Sequence, residues 1–210
     1  MPYGYLGTTP NQQLNNSGVF SVEEALALKN VGELGGSLEH IQTQTVDDSD
    51  FSEEIGFVDF TNLGNYDVHF LTYKNLVLQG YGCPALRFYE SGVLETASVY
   101  SYAYQEGISS GTFAEGKSTG DDFLRLGKSA YQNINGYAYL YKLLDSSKYS
   151  FVTSQSSMVE GNNLGSQMSF GNGVLPQASA VDGIKFIADP MQWIGSLEIS
   201  LYGVKQIWVT

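Results

Sequence analysis

Cysteine is nearly absent. The single Cys83 in 210 residues leaves no partner for an intrachain disulfide. That argues against a disulfide-built secreted module, and synthesis in a reducing compartment such as a bacterial cytoplasm is expected. Beside Pro84, in a stretch that reads as a turn, Cys83 is expected to act as a small apolar residue. No neighbour in sequence would lower its pKa. Basic residues are scarce as well. Ten Lys and Arg stand against 22 Asp and Glu, for a formal net charge of −12. Such a chain repels phosphate backbones and anionic lipid, so neither nucleic acid nor a membrane surface is an expected partner. No apolar run approaches the ~20 residues that a membrane helix needs, so no membrane insertion is expected. The opening Met1-Pro2-Tyr3-Gly4-Tyr5-Leu6-Gly7 has neither a charged n-region nor an apolar h-region, so a secretory leader is not expected. Internal repeats are missing too.

What the chain does have is glycine and aromatic residues: 24 Gly, 15 Tyr and 11 Phe, with only 15% charged residues. Glycines favour turns and aromatics favour pleated surfaces, so the composition predicts an all-β protein. The pattern agrees from Ser37 onward. Leu197, Ile199 and Leu201 alternate with Glu198, Ser200 and Tyr202, the signature of a half-buried strand over 196–204. Tyr66, Val68 and Phe70 alternate with Asp67 and His69, and Leu86 and Phe88 with Arg87 and Tyr89. Glu90-Ser91-Gly92-Val93 reads as a turn into a strand over 96–104. Further strands are expected over 55–61, 137–144, 149–154, 166–170 and 184–188. The Gly/Asn/Ser-rich stretch 161–173 is expected to be a loop holding one short strand. No long amphipathic helix separates the strands, so a parallel α/β sheet is not expected. An antiparallel, jelly-roll-like β-sandwich over 37–210 is. A chain of this size buries roughly 70% of its unfolded surface, enough for a core without staples.

Residues 1–36 read differently. Gly4, Gly7, Pro10, Asn11, Asn15, Asn16 and Gly18 interrupt any regular pattern, which predicts an extended arm. Ser21 and Glu24 form a Ser-x-x-Glu capping box that opens one short helix over about 22–30, with Val22, Ala25 and Leu26 on one face. A helix that short needs something to dock on. Tyr3, Tyr5, Leu6, Phe20, Val22 and Leu26 are the candidate anchoring residues of the arm, and Gly35-Gly36 the hinge.

Several motifs mimic chemistry. Gly111 to Ser118 matches the P-loop spacing G-x-x-x-x-G-K-S, but a P-loop needs a helix whose N-terminus cradles phosphate. Here Gly120-Asp121-Asp122 follows at once and adds negative charge, so a surface loop is expected. Gly116 to Gly120 fits G-x-S-x-G, yet His40 and His69 both precede Ser118, the wrong order for a nucleophile elbow. Gly80 to Ala85 imitates a dinucleotide turn, and Pro84 excludes the helix that turn requires. Asp47, Asp48, Asp50, Glu53 and Glu54 form an acidic run without the order of an EF-hand, expected to be a solvated loop. The two histidines lack Cys or Glu partners at metal-ligand spacing and read as ordinary strand residues. Paired carboxylates for glycoside hydrolysis are defined by a distance in space, and no pair stands out. No catalytic, metal or cofactor-binding residue is assigned.

Two tyrosine triples remain. Tyr100, Tyr102 and Tyr104, and again Tyr137, Tyr139 and Tyr141, recur at period two, so each triple lies on one face of its strand. Such rings fill a sandwich core, line a seam between subunits, or form a platform for sugar rings. Trp193 and Trp208, with Ile207 and Val209, either cap the core or anchor contacts.

The order of several short segments adds a resemblance. Pro2-Tyr3-Gly4-Tyr5-Leu6-Gly7, Asn16-Ser17-Gly18-Val19-Phe20-Ser21 and Leu34-Gly35-Gly36-Ser37-Leu38-Glu39 come first. Tyr66-Asp67-Val68-His69-Phe70, Leu86-Arg87-Phe88-Tyr89-Glu90-Ser91-Gly92, Leu175-Pro176-Gln177-Ala178 and Leu201-Tyr202-Gly203 follow. Together they resemble a family of virion structural proteins from marine tailed phages. The resemblance covers most of the chain and rests on structural motifs. It implies a non-enzymatic, homo-oligomeric component of the particle exterior, a tail-fibre or appendage subunit or a capsid decoration. Its partners would be other virion proteins and itself. The alternative is a β-sandwich module that binds host-surface glycan through exposed tyrosines.

Overall fold

The computed structural model describes residues 37–128, 133–159, 165–190 and 192–205. The expected arm over 1–36, its helix and its anchoring residues Tyr3, Tyr5, Leu6, Phe20, Val22 and Leu26 lie outside the described residues, as do Ile207, Trp208 and Val209.

Among the described residues the structure is all β. In chain order the strands are β1 (Leu38–Asp47), β2 (Phe57–Phe60), β3 (Val68–Leu78), β4 (Cys83–Glu90), β5 (Val93–Leu94) and β6 (Tyr100–Ile108). Then come β7 (Phe113–Asp121), β8 (Leu124–Arg125), β9 (Ile134–Tyr141), β10 (Ser150–Val159), β11 (Ser166–Leu175), β12 (Val181–Asp189) and β13 (Ile194–Val204). An eight-stranded sheet runs β1-β13-β3-β9-β10-β11-β6-β7, and a five-stranded sheet holds β2-β12-β4-β5 with β8 on β4. The pairings between these strands are antiparallel. The sandwich expected from the alternation is thus the fold.

The period-two pattern decides which side chains meet between the sheets. From the large sheet come Leu71, Tyr73, Leu140, Val152, Ile199 and Leu201. The small sheet supplies Phe60, Leu86, Phe88, Ile184 and Phe186, all in one buried cluster. Tyr73 and Phe186 touch across the layers with ring centroids 5.5 Å apart. Each such residue contributes about 1.5–3 kcal/mol relative to leaving it exposed. Leu197, Ile199 and Leu201 are buried, so the inward set of the last strand is the one the alternation predicts.

Three local expectations are corrected. Cys83 and Pro84 are not in a turn: Cys83 opens β4, where it is buried and its thiol faces the Asp189 carboxylate at 3.9 Å. The stretch expected as a loop up to Gly173 is strand from Ser166 onward, because β11 pairs along its length with both β10 and β6. The P-loop look-alike is a β-hairpin. Gly111 sits in the turn, and Phe113 through Ser118 lie in β7 against β6. Hence no helix N-terminus faces that segment, and the G-x-S-x-G spacing lies on the same strand.

The glycines also play a second part. Besides turn positions such as Gly92, at φ 76° beside Ser91 in the β4–β5 hairpin, many sit inside strands. A Cβ at Gly116 would collide with the Tyr104 ring, one at Gly136 with the Tyr73 ring, and one at Gly203 with the Tyr66 ring. These glycines give aromatic rings room to lie flat across a neighbouring strand.

Candidate binding face

The two tyrosine triples part company. Tyr100 points inward and is wholly buried, its hydroxyl accepting from the Phe88 amide at 2.9 Å. Burial pushes its phenol well above the ordinary range. Tyr102 packs on the small cluster of Ala85, Phe123 and Ile187 and donates to Asp121 at 2.9 Å. The Arg125 guanidinium stands 5.9 Å from the centre of its ring. Tyr104 lies across Gly116. A platform over Tyr100, Tyr102 and Tyr104 is therefore not what the fold makes. Tyr100 and Tyr102 pack between the sheets, and Tyr104 stays half-buried over β7.

Behind it lies a polar pocket of the interior. Glu106, 2% exposed, accepts from Lys128 Nζ at 2.7 Å and from the Gln167 amide at 2.9 Å. Ser156 and Ser169 are hydrogen-bonded at 2.6 Å beside it. The buried carboxylate is satisfied on both oxygens, which is what its burial requires. This arrangement is structural, with each polar group already paired.

Tyr137, Tyr139 and Tyr141 face outward on the large sheet. Their neighbours are set by register. Tyr139 stands opposite Phe70 on one side and Thr153 on the other, and Phe70 stands opposite Tyr202. Ring centroids link His40 to Tyr202 at 5.5 Å, Tyr202 to Phe70 at 6.2 Å, and Phe70 to Tyr139 at 4.7 Å. Tyr137 and Tyr141 extend the band at 6.2 and 6.4 Å from Tyr139. The band is wet at its hydroxyls: Tyr137 donates to Gln155 at 2.8 Å, and Tyr141 meets Thr153 at 3.2 Å. Phe151 and Phe170 continue the apolar surface on β10 and β11, 48% and 47% exposed.

The outward positions of β9, β10 and β11 are Asn, Tyr, Phe, Thr, Gln, Ser, Val and Met, without one charged side chain. In a chain of net charge −12 that neutrality sets the face apart from the rest of the surface. Ion pairs flank it: Lys74 with Glu198 at 2.8 Å further along β3 and β13, and Lys142 with Asp67 at 2.8 Å just beyond the ends of β9 and β3. Burying a neutral face rich in aromatic rings sacrifices no ionic solvation.

Other candidates from the sequence do not converge. His40 and His69 lie on β1 and β3 as ordinary strand residues. Of the acidic run, Asp47, Asp50, Glu53 and Glu54 are exposed as expected, and Asp48 is not. Its carboxylate is 5% exposed and accepts from the amides of Ser52 at 2.9 Å and Glu53 at 3.0 Å. Burial raises its pKa, and the two amides outweigh that and hold it below the usual range. Asp48 thus ties a turn together. Among the described residues no group of three or more His, Cys, Asp or Glu could hold a metal ion. Trp193 is half-buried and lines a hollow with Phe57, Arg87 and Lys185 on the small sheet. The Lys185 ammonium sits 3.2 Å over the Phe57 ring and 3.1 Å from Asp59, so its charge is already engaged.

The architecture defines an antiparallel β-sandwich protein with one neutral aromatic face. No family model, curated protein or solved structure matches the chain.

Proposed function

We propose that this protein is a non-enzymatic structural component of the exterior of a tailed-phage virion, a tail-fibre or appendage subunit or a capsid decoration. It is made in the host cytoplasm and associates with further copies and with other virion proteins through its arm and its sandwich surface. The observation that carries the reading is the neutral aromatic face of the large sheet, centred on Phe70, Tyr139 and Tyr202. A monomer leaves such a surface in water at a cost that a subunit contact removes. The ordered segments that resemble phage structural proteins supply the setting.

Gold-labelled antibody on intact particles tests the setting. Label on the head marks a decoration and label on the tail an appendage. Particles without label, with the epitope shown to be accessible, overturn the virion reading. Sedimentation of the purified chain tests the face. Phe70→Glu places a charge in the middle of the band and is expected to weaken self-association at least tenfold, the effect of about 1.4 kcal/mol. Wild-type and variant chains that sediment identically would remove the face from assembly.

A second reading has its own support. The tyrosine hydroxyls of the face are held by Gln155 and Thr153, so aromatic planes alternate with amide and hydroxyl groups. That mixture suits carbohydrate, whose rings present C–H faces and hydroxyl rims.

A further inference from the structure

Beyond the tyrosine band, the same outward surface contains a hollow of about 510 Å³ over β11, β6 and β7. Its walls follow from register. Phe170, Gln105 and Glu115 stand in one cross-strand row, and Asn172, Ala103 and Lys117 in the next. Strand spacing and residue rise make this a rectangle of about 10 by 7 Å. Ala103 is the smallest side chain of the six, and the depression opens over it, with backbone of Tyr104, Gly116 and Gly171 around it.

The chemistry of the wall is specific. Phe170 offers a ring face that is half exposed. Among the described residues the side-chain amides of Asn172 and Gln105 have no hydrogen-bond partner, so donors and acceptors stand free on either side of the ring. Glu115 and Lys117 pair at 3.2 Å and cancel, leaving the hollow without net charge. A phosphate or sulfate finds no unpaired cation here. A flat apolar partner would leave four polar side chains desolvated and unmatched. A ligand with one apolar face and a rim of neutral hydroxyls satisfies all of them, and the volume is that of a small-molecule site.

We infer that this hollow is a saccharide subsite that takes a neutral pyranose, stacked on Phe170 and hydrogen-bonded by Asn172, Gln105 and the Glu115–Lys117 pair. The inference rests on the glycan-binding reading above. It moves the sugar from the tyrosine triple to the far strands of the sheet and leaves the tyrosine band free for subunit contact.

The test uses the full chain and methyl glycosides of glucose, galactose, mannose and N-acetylglucosamine, followed by saturation-transfer NMR. At least one glycoside is expected to bind. Ala103→Trp, which fills the hollow, and Phe170→Ala, which removes the ring, are each expected to weaken it about tenfold or more. Both positions are on the outer surface, and circular dichroism confirms that the variants fold. Val93→Ala, an exposed position on the five-stranded sheet, should leave binding unchanged. Binding that survives in Ala103→Trp and Phe170→Ala overturns the subsite. If Tyr139→Ala alone abolishes it, glycan recognition stands and belongs to the tyrosine band. Binding restricted to uronic acid or sialic acid glycosides, added as controls, overturns the neutral class. No transfer from any glycoside to the wild-type chain overturns the subsite and the glycan reading together.

Discussion

His69 is buried in the core edge of β3, with Nε2 on the Leu63 carbonyl at 2.8 Å and Nδ1 facing no partner. The neutral ring therefore carries its proton on Nε2. Charging it would place a new N–H donor in a site without an acceptor. Burial accordingly lowers its pKa from the ordinary 6.5, against the smaller raising effect of the Leu63 hydrogen bond. The folded value lies below the unfolded one, so the unfolded chain binds the proton first. This contribution to stability is complete above about pH 6.5 and is lost as pH falls through the folded value. Thermal unfolding from pH 7.5 down to pH 5 is expected to show Tm falling with acidification. In His69→Gln, which keeps an Nε2 donor, that part of the slope should vanish. An unchanged slope would assign the acid sensitivity to carboxylates. The residue type was legible as a strand histidine. Its missing partner was not, because the Leu63 carbonyl reaches it only through the path of the loop before β3.

At the scale of elements, the strand glycines carry the next prediction. Gly136 pairs with Tyr73, whose ring lies across it, and a Cβ there would also stand 2.6 Å from the Gln155 carbonyl. That carbonyl belongs to the β10 backbone, so relief requires a shift of the sheet itself. Gly136→Ala is expected to cost about 1–3 kcal/mol in denaturant unfolding, where an unhindered strand alanine would be neutral or stabilising. Equal midpoints for wild type and variant would show that the sheet yields freely. Alternation made β13 readable, since Leu197, Ile199 and Leu201 face a core and their neighbours do not. Only the first half of β11, over 166–170, was legible, because before Leu175 its inward positions are Gln167, Ser169, Gly171 and Gly173, residues that pack a polar interior and the rings of other strands. β7 was hidden for the same reason: Phe113 to Asp121 is exposed along most of its length and carries no apolar stripe. The tyrosine triples announced a shared face each, and nothing in their spacing separates inward from outward.

For the whole molecule, the described sandwich has a continuous core that draws on both sheets. A chain beginning at Ser37 is expected to fold cooperatively with near-native β-sheet circular dichroism and, on the proposed virion role, to lose incorporation into particles. Normal incorporation without residues 1–36 would remove the arm from assembly, and failure to fold would show that the sandwich needs it. The sequence alone determined that this is an all-β chain of net charge −12 with no intrachain disulfide. Charge balance, cysteine count and period-two alternation are local properties that need no knowledge of what lies across the sheet. Tertiary structure alone decided that Tyr100 is core and Tyr139 surface, and that Phe170, Ala103 and Lys117 share one hollow. Those outcomes depend on the pairing of β9 with β3 and β10, of β11 with β6 and of β6 with β7. Register is a long-range choice. A shift of one residue would send each of these side chains to the opposite face.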